Sequence, residues 1–121
     1  MKKYLFIIMA IFSLIAIASA EVTTQATSSG LLNGSGIVVA RPARFTDLTV
    51  ITDGTNQATV VCYDNASTNS GNVIGKVIVP GASLSGGIIM SVPVRASLGI
   101  YCTLAVANSG TGAFIVSYDP Q

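Results

Sequence analysis

The sequence predicts an all-β protein that folds as a single compact antiparallel β-sandwich of about seven short strands. From residue 37 onward, apolar and polar residues alternate, and no apolar spacing of 3, 4 and 7 continues over two helical turns. Glycines interrupt every window long enough for a helix, and turn-forming residues separate the alternating segments. The pattern is typical of an immunoglobulin-like sandwich or a small jelly roll.

Each predicted strand is bounded by turn residues. The seven strands are Gly36–Ala40, Phe45–Thr52, Gln57–Asp64, Val73–Val79, Gly86–Val94, Gly99–Ala107 and Gly112–Tyr118. Asp53-Gly54 favours the primed turn of a β-hairpin, which requires positive φ. The run from Leu48 to Asn65 therefore predicts a hairpin.

Alternation along the strands also assigns their faces, because successive side chains of a strand point to opposite sides of the sheet. The predicted core consists of Leu48, Val50, Ala58, Val60, Cys62, Val77, Val79, Met90, Val92, Ile100, Cys102, Leu104, Val106, Phe114 and Val116. Both cysteines therefore fall on the more apolar face of their strands.

The first twenty residues predict a secretory signal peptide in the form of a hydrophobic helix. Two lysines precede an uncharged apolar run from Tyr4 to Ala18, and the sequence Ala-Ser-Ala at its end has the small-x-small pattern of a cleavage site. A run of about fifteen residues is shorter than the roughly twenty that span a bilayer, which favours cleavage over a retained membrane anchor. Residues 21–36 predict a flexible Ser/Thr/Gly-rich arm, and residues 37–121 the β-sandwich domain.

The charge balance beyond residue 20 argues against nucleic acid as a partner. The cations are Lys76, Arg41, Arg44 and Arg95, and the acids are Glu21, Asp47, Asp53, Asp64 and Asp119. Four positive charges minus five negative charges give a net charge of −1. Nucleic-acid binding requires a basic face that displaces counterions from phosphates, and the basic residues of this chain are too few to form one.

The two cysteines, Cys62 and Cys102, predict a disulfide. An even number of cysteines in an exported chain is typical of a structural bridge, because compartments outside the inner membrane are oxidising. A redox-active pair would instead have close C-x-x-C spacing, whereas these cysteines lie forty positions apart in apolar strands.

The chain has few of the residue types that usually serve in catalysis, so the sequence predicts no enzyme, no catalytic residue and no cofactor. The chain has no histidine, which excludes the common Ser-His-Asp and Cys-His arrangements and imidazole ligands for zinc. Asp53 and Asp64 lie at predicted turns, where aspartate usually bonds its own backbone. Neither "TDGTN" nor "YDNAS" matches the twelve-residue calcium loop, so no metal is expected. Asn33 and Asn65 begin formal N-glycosylation sequons.

The face opposite the cysteines predicts an interaction surface. Tyr63 and Tyr101 are expected side by side there, and Ile74, Ile78, Ile89 and Ile115 have the same parity. A small domain that is apolar on both sheet faces tends to assemble or to pack on a larger surface. Exposed tyrosines can also bind a glycan or a protein. In the arm, the apolar pair Leu31-Leu32 predicts a short strand or docking element.

Two stretches of the chain resemble a known family. They are "FTDLTVITDGTNQATVVCYDNASTNSGNVIGKVIVPGAS" and "VPVRASLGIYCTLAVANSGTGAFIVSYD", and they resemble small structural proteins of tailed phages and prophages. The resemblance covers Ile37 to Asp119. It implies a compact β-domain that serves as a capsid decoration, head fibre or tail-associated subunit, with no catalytic residues.

We therefore expect a non-enzymatic structural protein, of the phage virion decoration or fibre type, that is exported to the periplasm, cell surface or virion. It docks or oligomerises through its sheet faces, so its partner is protein, and it meets a membrane only through an uncleaved N-terminal segment. The alternative is a periplasmic or cell-surface β-sandwich module that binds a glycan or a protein. A small hydrolase built on the turn aspartates is a weaker alternative.

Overall fold

The computed structural model describes residues 26–121. The predicted signal peptide and the first part of the arm lie outside these residues. The described chain forms eight strands: β1 (Thr27–Ser28), β2 (Gly36–Val39), β3 (Ala43–Thr52), β4 (Ala58–Asp64), β5 (Val73–Val79), β6 (Ser85–Ala96), β7 (Ile100–Val106) and β8 (Gly112–Pro120). One 3₁₀ turn, Ala107–Ser109, is the only helical element between residues 26 and 121.

The strands form two four-stranded antiparallel sheets, which confirms the prediction of an all-β sandwich. One sheet has the order β1-β8-β3-β6 and the other has the order β2-β7-β4-β5. Seven of the eight strands coincide with predicted strands to within two residues at each end. The eighth, β1, lies in the predicted arm and pairs with β8, and Leu32 forms a single bridge with Phe114 of β8.

The predicted hairpin from Leu48 to Asn65 is wrong, because β3 and β4 belong to different sheets. β3 already pairs with β6 and β8, and β4 pairs with β5 and β7, so neither strand has a free edge for the other. The segment after Thr52 is therefore a crossing between sheets. Gly54 does have the expected positive φ, 76°.

The core lies between the two sheets and contains most of the predicted residues. Those that are buried are Leu48, Val50, Ala58, Val60, Cys62, Val77, Val79, Ile100, Cys102, Phe114 and Val116. Met90, Leu104 and Val106 pack against this core while remaining partly exposed. Phe45, which alternation did not assign to the core, is fully buried.

Val92 was predicted in the core and is 76% exposed. The reason is a break in the register between β3 and β6: Phe45 pairs with Val94 and Asp47 pairs with Ile89, so four residues of β6 face only Thr46. These residues, 90–93, are called the β6 excursion below. They leave the regular alternation, and the Thr46 hydroxyl opposite them is buried without a hydrogen-bond partner.

Candidate interaction surface

The disulfide between Cys62 and Cys102 is present, as predicted, and it joins directly opposed residues of β4 and β7 within one sheet. Their Cα atoms are 4.1 Å apart, which is the close spacing of a non-hydrogen-bonded antiparallel pair. Both cysteines are fully buried. A buried disulfide is consistent with an oxidising compartment.

One residue further along the same two strands, Tyr63 lies opposite Tyr101, which confirms their predicted pairing. The row continues to both edges of the sheet, because Ile37 of β2 pairs with Tyr101 and Val73 of β5 pairs with Tyr63. Ile37 is 51% exposed and Val73 is 56% exposed, and the tyrosines are half-buried. An unbroken apolar row therefore crosses all four strands on the outer surface.

Two further rows complete this surface, which we call the tyrosine face. Its members are Ile37, Thr59, Val61, Tyr63, Val73, Lys76, Ile78, Tyr101, Thr103 and Ala105. Lys76 is the only charged residue among them. Ile78, predicted for this surface, is 52% exposed there. The tyrosine face is thus apolar to neutral over nearly its whole area.

Ile74 was also predicted on the outer surface, but it is buried in the core at 8% exposure. The register of β5 against β4 shifts at this point: Gly75 pairs with Cys62, and Val73 pairs with Tyr63. Ile74 is the extra residue of this bulge and turns inward. The shift moves Val73 onto the tyrosine face, where alternation had not predicted it.

The remaining predicted surface residues lie elsewhere. Leu31 is 64% exposed, and Leu32 packs partly against the core beside Phe114, on the edge of the other sheet. Ile89 and Ile115 belong to β6 and β8 of that sheet. Ile37 is a member of the tyrosine face that sequence reasoning missed, although its place in the predicted strand Gly36–Ala40 offered a signal.

At one end of the sandwich, Asp53 connects two loops. Its carboxylate accepts hydrogen bonds from the side-chain amide of Asn56 at 2.9 Å and from the backbone N–H groups of Asn56, Thr55 and Thr111. These bonds, the Asn56 amide first among them, hold the pKa of Asp53 well below its usual range. All four donors are N–H groups. The carboxylate oxygens therefore accept hydrogen bonds that join the two loops, and they are poorly suited to binding a cation.

The turn aspartates do not form a catalytic pair. Asp64 lies at the opposite end of the sandwich from Asp53, because β4 runs the full length of its sheet between them. The Asp64 carboxylate accepts a hydrogen bond from the backbone N–H of Leu98. Two carboxylates acting on one bond must lie within about 10 Å of each other. The arrangement therefore gives no support to the hydrolase alternative.

The depressed pKa of Asp53 predicts a pH-dependent contribution to stability. A carboxyl with a lowered pKa in the folded state stabilises the protein fully above its unfolded pKa, about 4, and loses that contribution as the pH falls further. We expect Asp53→Asn to be less stable than the wild type between pH 5 and 7, with a difference that shrinks below about pH 4. Urea unfolding at a series of pH values measures this. A difference that stays constant down to pH 3 would contradict the assignment.

Comparison of the chain with family models, curated proteins and solved structures gave no match in any of the three. Among residues 26–121, no helix has the length and hydrophobicity needed to cross a bilayer. The same part of the chain contains no cluster of three or more His, Cys, Asp or Glu side chains that could hold a metal ion.

An open groove of about 450 Å³ lies beside the arm at Asn33 and Gly34, next to Val106 and Thr111.

Proposed function

We propose that the protein is a non-enzymatic assembly subunit of the phage virion decoration or fibre type, exported and docked through the tyrosine face. The observation that carries this proposal is the apolar row Ile37–Tyr101–Tyr63–Val73, which crosses a whole sheet on its outer side. Interface cores are enriched in aromatic residues and depleted of charge, as this row is.

The strand pairing supports a small jelly roll as the finer fold type. The pairs β1·β8, β2·β7, β3·β6 and β4·β5 are those of a chain folded once into a long two-stranded ribbon. Winding that ribbon around a core places alternate pairs in opposite sheets, which is the strand order of this protein. The immunoglobulin domain of antibodies has a disulfide between its sheets, whereas Cys62–Cys102 lies within one sheet. Jelly rolls serve in viral capsids and in lectins.

The size of the tyrosine face indicates many weak contacts rather than one stable dimer. Three of its four strands are seven residues long. Four strands about 4.8 Å apart, each with a rise of about 3.4 Å per residue, give a footprint of roughly 450 Å². A standard protein interface buries about 800 Å² of accessible surface on each partner, which corresponds to a smaller flat footprint. A face of this size suits a subunit that is held on a repeating lattice, where several contacts act together.

Association should therefore be weak, dependent on concentration, and sensitive to charge on the tyrosine face. We expect Val73→Lys to weaken self-association about tenfold, because an apolar side chain of this size contributes roughly 1.5 kcal/mol or more when it is buried. Ile51→Lys is the matched control, since Ile51 is 40% exposed on the outer side of the other sheet. Light scattering across a concentration series measures both variants beside the wild type.

Two results would contradict this proposal: a wild-type protein that stays monomeric at the highest concentration, or equal weakening by both lysine variants.

The alternative function, glycan binding, is favoured by one observation, the adjacent and half-buried tyrosines Tyr63 and Tyr101. Aromatic rings at such a site can stack on sugar rings. Glycan-array binding that disappears in Tyr63→Ala, in a wild type without self-association, would support the binding module instead.

A further inference from the structure

The sequence has two dipeptides in which an Asn or Asp side chain is followed directly by a glycine nitrogen, Asn33-Gly34 and Asp53-Gly54. In such a dipeptide, the backbone nitrogen of glycine can attack Cγ of the preceding residue and close a succinimide ring. Glycine favours this reaction, because it has no Cβ atom to shield its nitrogen and its backbone rotates freely. A folded protein permits ring closure only where the attacking N–H is free and the side chain can turn toward it.

The fold prevents this reaction at Asp53-Gly54. The Gly54 N–H donates to Thr52 Oγ1 at 3.1 Å, so the nitrogen that would attack is held in place. The Asp53 carboxylate accepts four hydrogen bonds, which come from the Asn56 side chain and from three backbone N–H groups. These bonds hold the pKa of Asp53 well below its usual range, and an ionised carboxylate has no group that can leave when the nitrogen attacks. Asp53 should therefore stay unmodified.

At Asn33-Gly34 both reacting groups are free. Within residues 26–121, the Asn33 side chain and the Gly34 N–H form no hydrogen bond. Both residues are exposed and lie in the segment that precedes β2. A Cβ atom at Gly34 would meet nothing within 4 Å, so the attacking nitrogen has open space around it. The dipeptide also lines the open groove beside the arm, and no residue that lines this groove in the described part of the chain is charged.

The chain has five other asparagines, and each of them precedes a residue that has a Cβ atom or, in the fold, is restrained. They are Asn56, Asn65, Asn69, Asn72 and Asn108. Asn65 is restrained, because its side chain accepts the N–H groups of Ser67 and Thr68 and donates to Ser70. Asn69 is exposed and precedes serine, so it shows whether exposure alone permits the reaction. Asn33 is thus the asparagine at which sequence and fold both favour attack.

The dipeptide joins two fixed points that lie on different sheets. On one side, Leu32 forms two backbone hydrogen bonds with Phe114 of β8, at 2.9 and 2.8 Å, and packs partly against the core. On the other side, the Ser35 hydroxyl accepts the N–H of Leu104 in β7 at 2.8 Å. The chain therefore passes from one sheet to the other through this dipeptide alone. A longer main chain here has to be accommodated by one of the two contacts.

We propose that Asn33 deamidates spontaneously and that its isoaspartyl product detaches the arm, residues 26–32, from β8. The Gly34 nitrogen bonds to Cγ of Asn33 and gives up its proton, and the side-chain nitrogen takes up a proton and leaves as ammonia. Water then opens the ring, adding its hydroxyl to one carbonyl carbon and its proton to the nitrogen. Opening at Cγ yields aspartate, and opening at the backbone carbonyl yields isoaspartate. The reaction consumes one water in all and needs no oxidant or reductant.

The arm is the side that yields. In isoaspartate the main chain runs through the former side chain and is one atom longer, which disturbs the short path between Leu32 and Ser35. β1 has only two residues, whereas Ser35 leads directly into the four residues of β2. Short, exposed segments with few hydrogen bonds are the first to open locally. This modification is independent of the assembly proposed for the tyrosine face.

The test follows the full chain over days at mildly alkaline pH, because the Gly34 nitrogen must lose its proton to attack. We expect the mass of the tryptic peptide that ends at Arg44 to rise by about one dalton, and this peptide contains no asparagine besides Asn33. Methylation by an isoaspartyl methyltransferase identifies the isoaspartate. Gly34→Ala is the matched control, since the open space at this position accepts a methyl group, and it should stay largely unmodified.

Hydrogen exchange then measures the release of the arm. The amides of Leu32 and Phe114 should exchange faster in the aged wild type than in fresh protein, and at an unchanged rate in aged Gly34→Ala. Asn33→Asp adds the charge without the extra main-chain atom, so these amides should exchange more slowly in it than in the isoaspartyl protein. The proposal is overturned if Asn33 does not convert, if Asn69 converts equally fast, if conversion leaves exchange unchanged, or if Asn33→Asp matches the isoaspartyl protein.

Discussion

Replacing both cysteines, by Cys62→Ala with Cys102→Ala, is expected to lower the free energy of unfolding by about 3 kcal/mol. The bridge closes a loop of 40 residues, and the chain-entropy model assigns about 4 kcal/mol to a loop of that length. The measured loss should be smaller, because denatured chains retain some structure. Both residues are fully buried, so the double alanine variant also loses core packing. Urea unfolding followed by circular dichroism measures the difference.

The control for this prediction uses reductant. A reducing agent should destabilise the wild type and leave the double variant unchanged, and the mass of the intact protein should rise by two hydrogens on reduction. Two free thiols in protein purified without reductant, or equal stability of the two proteins, would contradict the structural role. The disulfide lies beside the Tyr63–Tyr101 pair, so its loss should also weaken the self-association that we propose for the tyrosine face.

Strand positions could be predicted from this sequence because they depend on local signals. Alternation over five to ten residues and the glycine-rich turns between them locate a strand whatever its partner is. Val73–Val79 was predicted to the residue for this reason. Alternation also placed Tyr63 and Tyr101 on the face opposite the cysteines, where they are paired. It did not predict the two ends of that row, Ile37 and Val73.

Partner strands and bulges could not be predicted, because they depend on residues far away in sequence. Asp53-Gly54 has the composition of a hairpin turn, yet the side chain of Asp53 bonds Thr111 in another loop and the chain crosses to the second sheet. A shift of one residue moves every following side chain to the other face of a sheet. The bulge at Ile74 is such a shift and accounts for the wrong placement of Ile74. The excursion is different, because it places three extra residues of β6 against β3 and leaves Val92 exposed, while Ile88, Met90 and Val94 keep the same parity and pack against the core.

Gly75→Ala is expected to destabilise the protein by about 2 kcal/mol, the range found when a packed core receives an extra methyl group. A Cβ atom at Gly75 would lie 2.6 Å from Cζ and 2.8 Å from Cε1 of Phe45. The Phe45 ring is fully buried between the sheets, so it has no room to move away. Gly36→Ala is the matched control, since Gly36 is also a strand glycine of this sheet and a Cβ atom there meets nothing within 4 Å. It should stabilise the protein by a few tenths of a kcal/mol, because alanine restricts the unfolded chain.

The cause of the Gly75 effect can be isolated with Phe45→Leu, which removes the two ring atoms that an added Cβ would meet. In that background, Gly75→Ala should cost less than half as much as in the wild type, a coupling that a double-mutant cycle measures directly. An equal cost in both backgrounds would show that backbone conformation, and not the ring, requires glycine. Gly75 pairs with Cys62 and follows the bulge that places Val73 on the surface. If the proposed assembly through the tyrosine face is correct, the same substitution should also weaken self-association, because the position of Val73 in the apolar row depends on the packing of Gly75 against Phe45.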